Sequence, residues 1–159
     1  MKRAVFAALL NAAVLLPAHA DMSLEAARAS VAPFYTALNA EFANDSAELI
    51  RQATAPDWVS CRTNEICNNR EEVIAGVAAR LKSVPDLTWQ IRDIQVSGNQ
   101  VFVRGEATGT PAGEFFGAPH TGKSFKIMSI DVHTLEGGKM VRSYHIEDWM
   151  GAVRQLMAH

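Results

Sequence analysis

The sequence predicts a single α+β domain in which N-terminal helices pack on one face of a cone-shaped, curved antiparallel sheet. In the first half of the chain, apolar residues recur every three or four positions, which is the period of an amphipathic helix. From residue 87 onwards they alternate with polar residues, which is the period of a strand. Helices followed by a run of strands are typical of α+β domains. With 159 residues and no internal repeat, the chain has room for one domain.

The first residues have the composition of a secretory signal peptide. Lys2 and Arg3 form a charged start, residues 5–16 form an apolar run, and residues 18–20 (Ala-His-Ala) match a small-x-small cleavage site. The apolar run is shorter than a membrane-spanning helix requires. We therefore expect residues 1–20 to be removed, with a retained membrane anchor or a buried helix as the alternative.

Residues 21–159 then form the mature domain, which we expect to be secreted or periplasmic. Because the leader contains two basic residues and no acidic one, the 15 basic residues become 13 against 17 acidic residues, and the formal charge moves from −2 to −4. A mildly acidic chain without a basic cluster argues against a nucleic-acid partner. It also gives no support to binding on an anionic membrane after signal cleavage.

The two cysteines, Cys61 and Cys67, are separated by five residues. In an exported protein this pair predicts a disulfide that closes a short turn. A zinc site requires further Cys or His ligands at motif spacing, and a redox site favours Cys-x-x-Cys. Neither pattern is present around these cysteines.

Four segments have apolar residues at helical spacing, namely residues 23–44, 46–52, 70–84 and 149–157. Ser23 is placed to cap the first of them, and Asn69 the third. Tyr35 and Asn39 lie one helical turn apart beside the apolar stripe of the first segment. They are either polar groups at an interface or the first wall of a cavity.

Strand signals fill the rest of the chain. A short strand begins at Trp58 and runs into the cysteine turn. Trp89 lies in a longer alternating segment whose parity changes near residues 92–93, which predicts a β-bulge there. A further strand covers residues 101–108. Glycines and prolines in residues 109–122 predict an ordered loop with Phe115 and Phe116 as its apolar anchor.

Residues 121–148 form the longest strand signal and predict a hairpin that turns at the Gly-Gly pair of residues 137–138. Four titratable residues lie on this hairpin, namely Asp131, His133, His145 and Asp148. The hairpin is therefore the first candidate for a catalytic site.

The register of the hairpin decides which of these side chains share a face. A two-residue turn pairs Ile130 with His145 and Asp131 with Tyr144. His145 then faces the pocket among apolar side chains. Asp131 and His133 lie on the opposite face, where a salt-bridge network competes with catalysis as the interpretation. A three-residue turn would place Asp131 diagonally opposite His145, but the Glu-Gly-Gly-Lys sequence favours the shorter turn.

Two stretches resemble a known family. The segments TGTPAGEFFGAPHTGK and FKIMSIDVHTLEGGKMVRSYHIEDW are similar to the SnoaL-like polyketide cyclase, or ester cyclase, family of the nuclear transport factor two-like superfamily. The similarity continues through FYTALN, APDWV and PDLTWQIRDIQVSGNQVFVRGEATGT, in the family's order, over nearly the whole mature chain.

The resemblance implies a cone-shaped fold with a hydrophobic pocket, a homodimer formed through the sheet, and no metal or organic cofactor. Characterised members use an acidic residue on the second hairpin strand as general acid/base for an aldol closure. Where the family often has His-Trp-Asp, this chain has Ser143, Tyr144 and His145, so a histidine replaces the carboxylate. Asp148 matches another acidic position of the family pattern.

Together these observations predict an exported protein that binds a small hydrophobic molecule. The predicted catalytic residues are His145, Asp131 and Asp148. The predicted substrate-binding residues are Tyr35, Asn39, Trp58, Trp89 and Phe116. The sequence contains no nucleophile elbow or phosphate loop. Three interpretations therefore remain open: cyclase, hydratase or isomerase chemistry, an exported binding protein without chemistry, and a dimeric interaction module.

Overall fold

The computed structural model describes residues 22–158 and shows the expected α+β domain. Its helices are α1 (Leu24–Ala37), α2 (Ser46–Ala53), α3 (Arg70–Ser83) and α4 (Trp149–Met157), with a short 3₁₀ turn at Ala40–Phe42. Its strands are β1 (Thr54–Cys61), β2 (Cys67–Asn69), β3 (Thr88–Ser97), β4 (Gln100–Gly109), β5 (Phe125–Glu136) and β6 (Lys139–Glu147). The predicted signal peptide, residues 1–20, lies outside the described residues.

Side-chain caps begin the helices where the sequence predicted them. The Ser23 hydroxyl accepts the Ala26 N–H of α1 at 3.1 Å. Asn69 and Glu72 form a reciprocal capping box at the start of α3. The closing helix α4 has the predicted bounds.

The first helix ends earlier than the periodicity predicted. It stops at Ala37 rather than continuing to residue 44. The Asn39 amide nitrogen donates to the carbonyl of Tyr35 at 2.7 Å, and its amide oxygen accepts the backbone N–H of Trp89 at 2.7 Å. Asn39 therefore satisfies the end of the helix and ties it to β3, since asparagine side chains compete with helical hydrogen bonds.

The six strands form one sheet in the order β2-β1-β6-β5-β4-β3. All neighbouring pairs are antiparallel except β1 and β6, which are parallel. The sheet is therefore mixed, whereas the sequence predicted an antiparallel one. Strand β1 begins at Thr54 rather than at Trp58, and its register with β6 shifts between Thr54 and Val59. Pro56 lies within this shift, as expected for a residue that cannot donate to the strand ladder.

Two bulges set the register of the long strands. The one predicted near residues 92–93 is confirmed between Ile91 and Asp93. The second was not predicted. The hairpin keeps its two-residue turn, with Glu136 opposite Lys139, but Val141 of β6 is an extra residue before Arg142 pairs with Thr134.

This second bulge makes the predicted hairpin register wrong. Asp131 lies directly opposite His145, and His133 lies opposite Ser143. Because side chains alternate across a strand, one extra residue exchanges the faces of everything beyond it. Asp131 and His133 are buried, whereas Met128 and Ile130 are exposed on the outer face of the sheet.

The core lies between the concave face of the sheet and the helices. Trp58, Phe125 and Ile50 are among its largest fully buried side chains. The predicted Cys61–Cys67 disulfide is confirmed and joins the end of β1 to β2. Across residues 22–158, no helix has the length and apolar character needed to span a membrane.

Candidate functional site

A cavity of about 580 Å³ lies between helices α1 and α3 and the concave face of the sheet. This volume is typical of small-molecule sites. Its apolar lining includes Phe34, Leu38, Val73, Val77, Leu81, Leu87, Trp89, Phe116 and Trp149. Its titratable lining consists of Arg62, Glu72, Arg80, Asp131, His133, His145 and Glu147.

Helix α3 forms a wall of this cavity. Val73, Val77 and Leu81 have the spacing of a core-facing stripe, yet only Leu81 of this helix is fully buried. Val73 and Val77 remain half-buried and line the cavity. The apolar stripe of α3 therefore faces the cavity.

Asp131 projects from the middle of β5 into the cavity and is only 5% exposed. Burial, reinforced by the negative charge of Glu147, raises the pKa of its carboxyl group to about 7. Three neighbouring groups lower this pKa instead. They are the Tyr35 hydroxyl, the charge of His145 and the Ser129 hydroxyl, which donates to the carboxyl group at 3.2 Å. The carboxyl group is therefore able to accept and release a proton near neutral pH.

His145 lies opposite Asp131 and forms an ion pair with Glu147, its Nδ1 being 2.7 Å from Oε1. Burial alone would lower the pKa of His145. The hydrogen bond and charge of Glu147, together with the charge of Asp131, outweigh burial and raise this pKa above its ordinary value. The raised pKa favours the protonated imidazole, which lies opposite Asp131 in the pairing of β5 with β6.

His133 is almost completely buried behind this pair. Burial, followed by the nearby charge of His145, lowers the pKa of His133 to about 3, so its ring is neutral at pH 7. Its Nε2 lies 2.9 Å from the Tyr35 hydroxyl and its Nδ1 lies 2.7 Å from the Ser143 hydroxyl. The indole nitrogen of Trp58 donates to the same Ser143 oxygen at 2.9 Å.

The donors and acceptors of these groups fix a direction along the chain of hydrogen bonds. Because an indole only donates, Ser143 accepts from Trp58 and has its own proton to give to Nδ1 of His133. The neutral His133 ring then donates from Nε2 to Tyr35, which leaves the Tyr35 proton free for Asp131. The reverse order would leave the Ser143 proton without an acceptor among residues 22–158.

Burial also raises the pKa of Tyr35 well above its ordinary value, with the charge of Asp131 adding to the effect. The Tyr35 hydroxyl group therefore stays protonated across the working range of the carboxyl group. We call the four residues Trp58, Ser143, His133 and Tyr35 the buried relay. The buried relay ends at the Tyr35 hydroxyl group, which lowers the pKa of Asp131.

The structure separates the residues that the sequence predicted as substrate-binding. Trp89 and Phe116 line the cavity. Tyr35 and Trp58 lie behind its wall, in the buried relay. Asn39 instead joins α1 to β3. The Trp89 indole nitrogen is itself covered, and it has no hydrogen-bond partner within the described part of the chain.

Asp148 is placed apart from Asp131 and His145. Its side chain caps α4 by accepting the Gly151 N–H at 2.8 Å, and it lies 3.7 Å from Arg154 at the surface. It is not among the residues that line the cavity. Asp148 therefore acts as a helix cap and is not part of the candidate site.

Sequence reasoning missed Glu147 and Arg80 as lining residues. Glu147 follows His145 by two positions, and period two alone would have placed both on one strand face. Arg80 continues the helical spacing of Val73 and Val77. A single charged residue in an apolar stripe does not by itself predict that the residue lines a cavity.

The Tyr35→Phe variant tests the contact between the buried relay and Asp131. Removal of the hydroxyl group removes its lowering effect on the pKa of Asp131, so we expect this pKa to rise further. A ¹³C NMR titration of the Asp131 carboxyl carbon measures it. Tyr144→Phe is the matched control, because Tyr144 is 43% exposed on the outer face. An unchanged or lower midpoint in Tyr35→Phe would contradict the contact.

Solved structures share this fold. A protein classed as a SnoaL-like polyketide cyclase from Jannaschia sp. CCS1 is 20% identical, with a TM-score of 0.73 over 88% of this chain and 99% of that chain. IdmH from Streptomyces antibioticus, classed as a polyketide cyclase, is 27% identical, with a TM-score of 0.70 over 82% and 97% of the two chains. AclR from Streptomyces galilaeus, classed as a hydroxylase, is 22% identical, with a TM-score of 0.71 over 84% and 97%.

Among curated proteins, none matches the sequence significantly. The family comparison is specific, since residues 26–156 match the SnoaL-like polyketide cyclase family and the match spans most of the chain. With its curved sheet and helices of the nuclear transport factor two-like type, the chain belongs to the SnoaL-like polyketide cyclase family.

Proposed function

We propose that the protein is an exported enzyme that catalyses proton transfer on a small hydrophobic molecule, in a cyclisation, hydration or isomerisation. The observation that carries this proposal is a pair of groups that face the cavity: the Asp131 carboxyl group, whose pKa is about 7, and the His145 imidazole opposite it, whose pKa is raised. Pairs of titratable groups that face a pocket with perturbed pKa values are candidates for acid/base catalysis.

In the proposed reaction, the Asp131 carboxylate takes a proton from a carbon next to a substrate carbonyl group. The electron pair of the broken C–H bond moves onto the carbonyl oxygen. The imidazolium of His145 donates a hydrogen bond to that oxygen and stabilises its developing negative charge. In a cyclisation, the enolate carbon then attacks a second carbonyl carbon of the same molecule, and protonated Asp131 gives its proton to the oxygen of that carbonyl group. In an isomerisation, the proton returns instead to another carbon of the conjugated enolate. In a hydration, the carboxylate takes its proton from a water molecule that adds to an activated carbon–carbon double bond and returns it to the neighbouring carbon.

The position of Asp131 also accounts for the departure from the family pattern. His145 occupies the place where the family often has a carboxylate, and the register of the hairpin puts a carboxylate on the neighbouring strand. Asp131 therefore faces the cavity from β5, beside His145 on β6. This arrangement supports a general-base role for Asp131, with His145 as its partner.

Export is the second element of the proposal. It rests on the composition of residues 1–20 and is compatible with the Cys61–Cys67 disulfide.

The Asp131→Asn variant tests the catalytic proposal with a neutral C–H acid, 5-nitrobenzisoxazole, whose ring opens when a base removes its proton. We expect the protein to accelerate ring opening with a pH dependence centred near 7, as the pKa of Asp131 requires. Asp131→Asn should lose about 10²-fold or more of the rate, because a positioned general base contributes about that much. Absorbance of the phenolate product measures the rate.

Asp57→Asn is the matched control, since Asp57 is an exposed carboxylate on β1 outside the cavity. Equal loss in both variants would refute the assignment of Asp131. The neutral dye N-phenyl-1-naphthylamine reports occupancy of the cavity by fluorescence. Tight dye binding without any acceleration by the wild-type protein would instead identify an exported binding protein.

We further propose that the outer face of the sheet pairs with a second copy of the chain. Five large apolar side chains on adjacent strands are exposed there, namely Phe102, Met128, Ile130, Tyr144 and Ile146. An apolar patch on one continuous surface is typical of an interface. The resemblance to dimeric family members supports a homodimer.

Ile130→Glu tests this interface, because Ile130 lies on the exposed face of β5. A charge placed in a buried apolar interface should convert a dimer to a monomer. Light scattering coupled to size exclusion measures the mass. Leu24→Glu, at an exposed apolar residue of α1, should leave the dimer intact. A monomeric wild-type protein at micromolar concentration would rule the interface out.

A further inference from the structure

Arg80 carries its guanidinium group on the cavity side of α3, among three aromatic rings. The guanidinium carbon lies 4.4 Å from the ring centroid of Trp149, 4.7 Å from that of Phe116 and 5.1 Å from that of Phe115. We call these three rings the aromatic clamp. Cation–π contacts of this kind hold the planar group in a fixed orientation.

The backbone around Phe116 places its ring in the aromatic clamp. Phe116 has a positive φ of 49°, which is uncommon for a bulky side chain. The chain turns there, because Phe115 and Ala118 exchange backbone hydrogen bonds of 2.9 Å. Unfavourable backbone conformations of this type concentrate at ligand-binding positions, where the surrounding structure maintains them.

Arg80 has no acidic partner within residues 22–158. None of the ion pairs or side-chain hydrogen bonds in this region involves its guanidinium group. Two carboxylates that line the same cavity bind other groups. Glu147 pairs with His145, and Glu72 caps α3. Burial lowers the pKa of Arg80, with the charge of Glu147 opposing the shift.

The nitrogens of this half-buried guanidinium group stay accessible, since the buried side-chain nitrogens without a partner among residues 22–158 are those of Arg70 and Trp89. A ligand in the cavity can therefore reach the Arg80 N–H donors, and a charged donor makes a stronger hydrogen bond than a neutral one. The aromatic clamp interacts with the faces of the planar group but accepts few of its five N–H bonds. The edge of the guanidinium group presents a fork of donors that matches the two oxygens of a carboxylate. The missing acceptor is therefore expected to arrive with the ligand.

We propose that Arg80 binds a carboxylate of the ligand, so that the ligand is an amphipathic organic acid whose apolar body fills the cavity. Its placement with a reactive carbon at Asp131 rests on the proposed function, whereas the carboxylate site does not. A monoanion fits better than a phosphate dianion. The cavity is also lined by Glu72, Asp131 and Glu147, which would repel a second negative charge.

Calorimetry with a matched pair of probes tests the site. 1-Naphthylacetate and 1-naphthylacetamide have nearly the same shape and differ in charge. We expect the wild-type protein to bind the acetate about tenfold or more tightly than the amide, as expected for one charge-assisted bidentate contact. Arg80→Met keeps the apolar stem and removes the charge, so it should abolish the preference while changing amide affinity less than about threefold.

Arg62→Met tests the competing assignment, because Arg62 is an exposed arginine that also lines the cavity. The site at Arg80 is refuted if the wild-type protein shows no preference for the acetate, or if Arg80→Met retains it. It is equally refuted if Arg62→Met loses the preference to the same degree. Tighter binding of 1-naphthyl phosphate than of the acetate would contradict a carboxylate site.

The same measurement on Asp131→Asn separates this inference from the proposed function. The preference for the acetate should persist in that variant, because Arg80 remains in place. A preference that depends on Arg80, in a protein that fails to open 5-nitrobenzisoxazole, would uphold the carboxylate site and refute the enzyme. Ring opening that depends on Asp131, without any preference for the acetate, would do the reverse.

Discussion

Burial of the Asp131 carboxyl group is the constraint on which the rest of the site depends. A carboxylate at this position loses most of its hydration, so its protonated form is favoured and its pKa rises to about 7. The neighbouring hydroxyl groups of Ser129 and Tyr35 and the charge of His145 limit that rise. The balance leaves a carboxyl group that exchanges its proton near neutrality, where an exposed aspartate would be fully ionised.

The hairpin bulge and the buried relay maintain this balance. The extra residue Val141 places Ser143 and His145 of β6 on the same concave face as Asp131 and His133 of β5. His133 stays neutral because it is buried, and this makes it a hydrogen-bond bridge between Tyr35 and Ser143 rather than a second charge. Each polar group in a core needs a hydrogen-bond partner. The buried relay provides these partners from Tyr35 as far as Trp58.

The sequence predicted the elements well where periodicity and caps agree, as at Asn69 for α3 and at the Gly-Gly turn of the hairpin. It predicted correctly that His145 faces the cavity but placed Asp131 and His133 on the opposite face, because the bulge at Val141 shifts the pairing of β6 with β5 by one residue. Local chemistry decided other cases: Asn39 ends a helix instead of lining the cavity, and Asp148 caps one. The role of Arg80 depends on rings from the loop and α4, which no local pattern brings together.

The pH dependence of stability tests the state of Asp131 most directly. Its pKa is raised in the folded protein, so the folded state binds more protons than the unfolded state between about pH 4 and pH 7, and wild-type stability falls as pH rises through this range. The Asp131→Asn variant has no carboxyl group at this position, so its stability does not fall for this reason. Its free energy of unfolding relative to wild type should therefore increase by about 2 kcal/mol between pH 5 and pH 8, measured by urea denaturation. A difference that stays flat or decreases would show that the pKa of Asp131 is not raised in the folded protein, and would contradict the account.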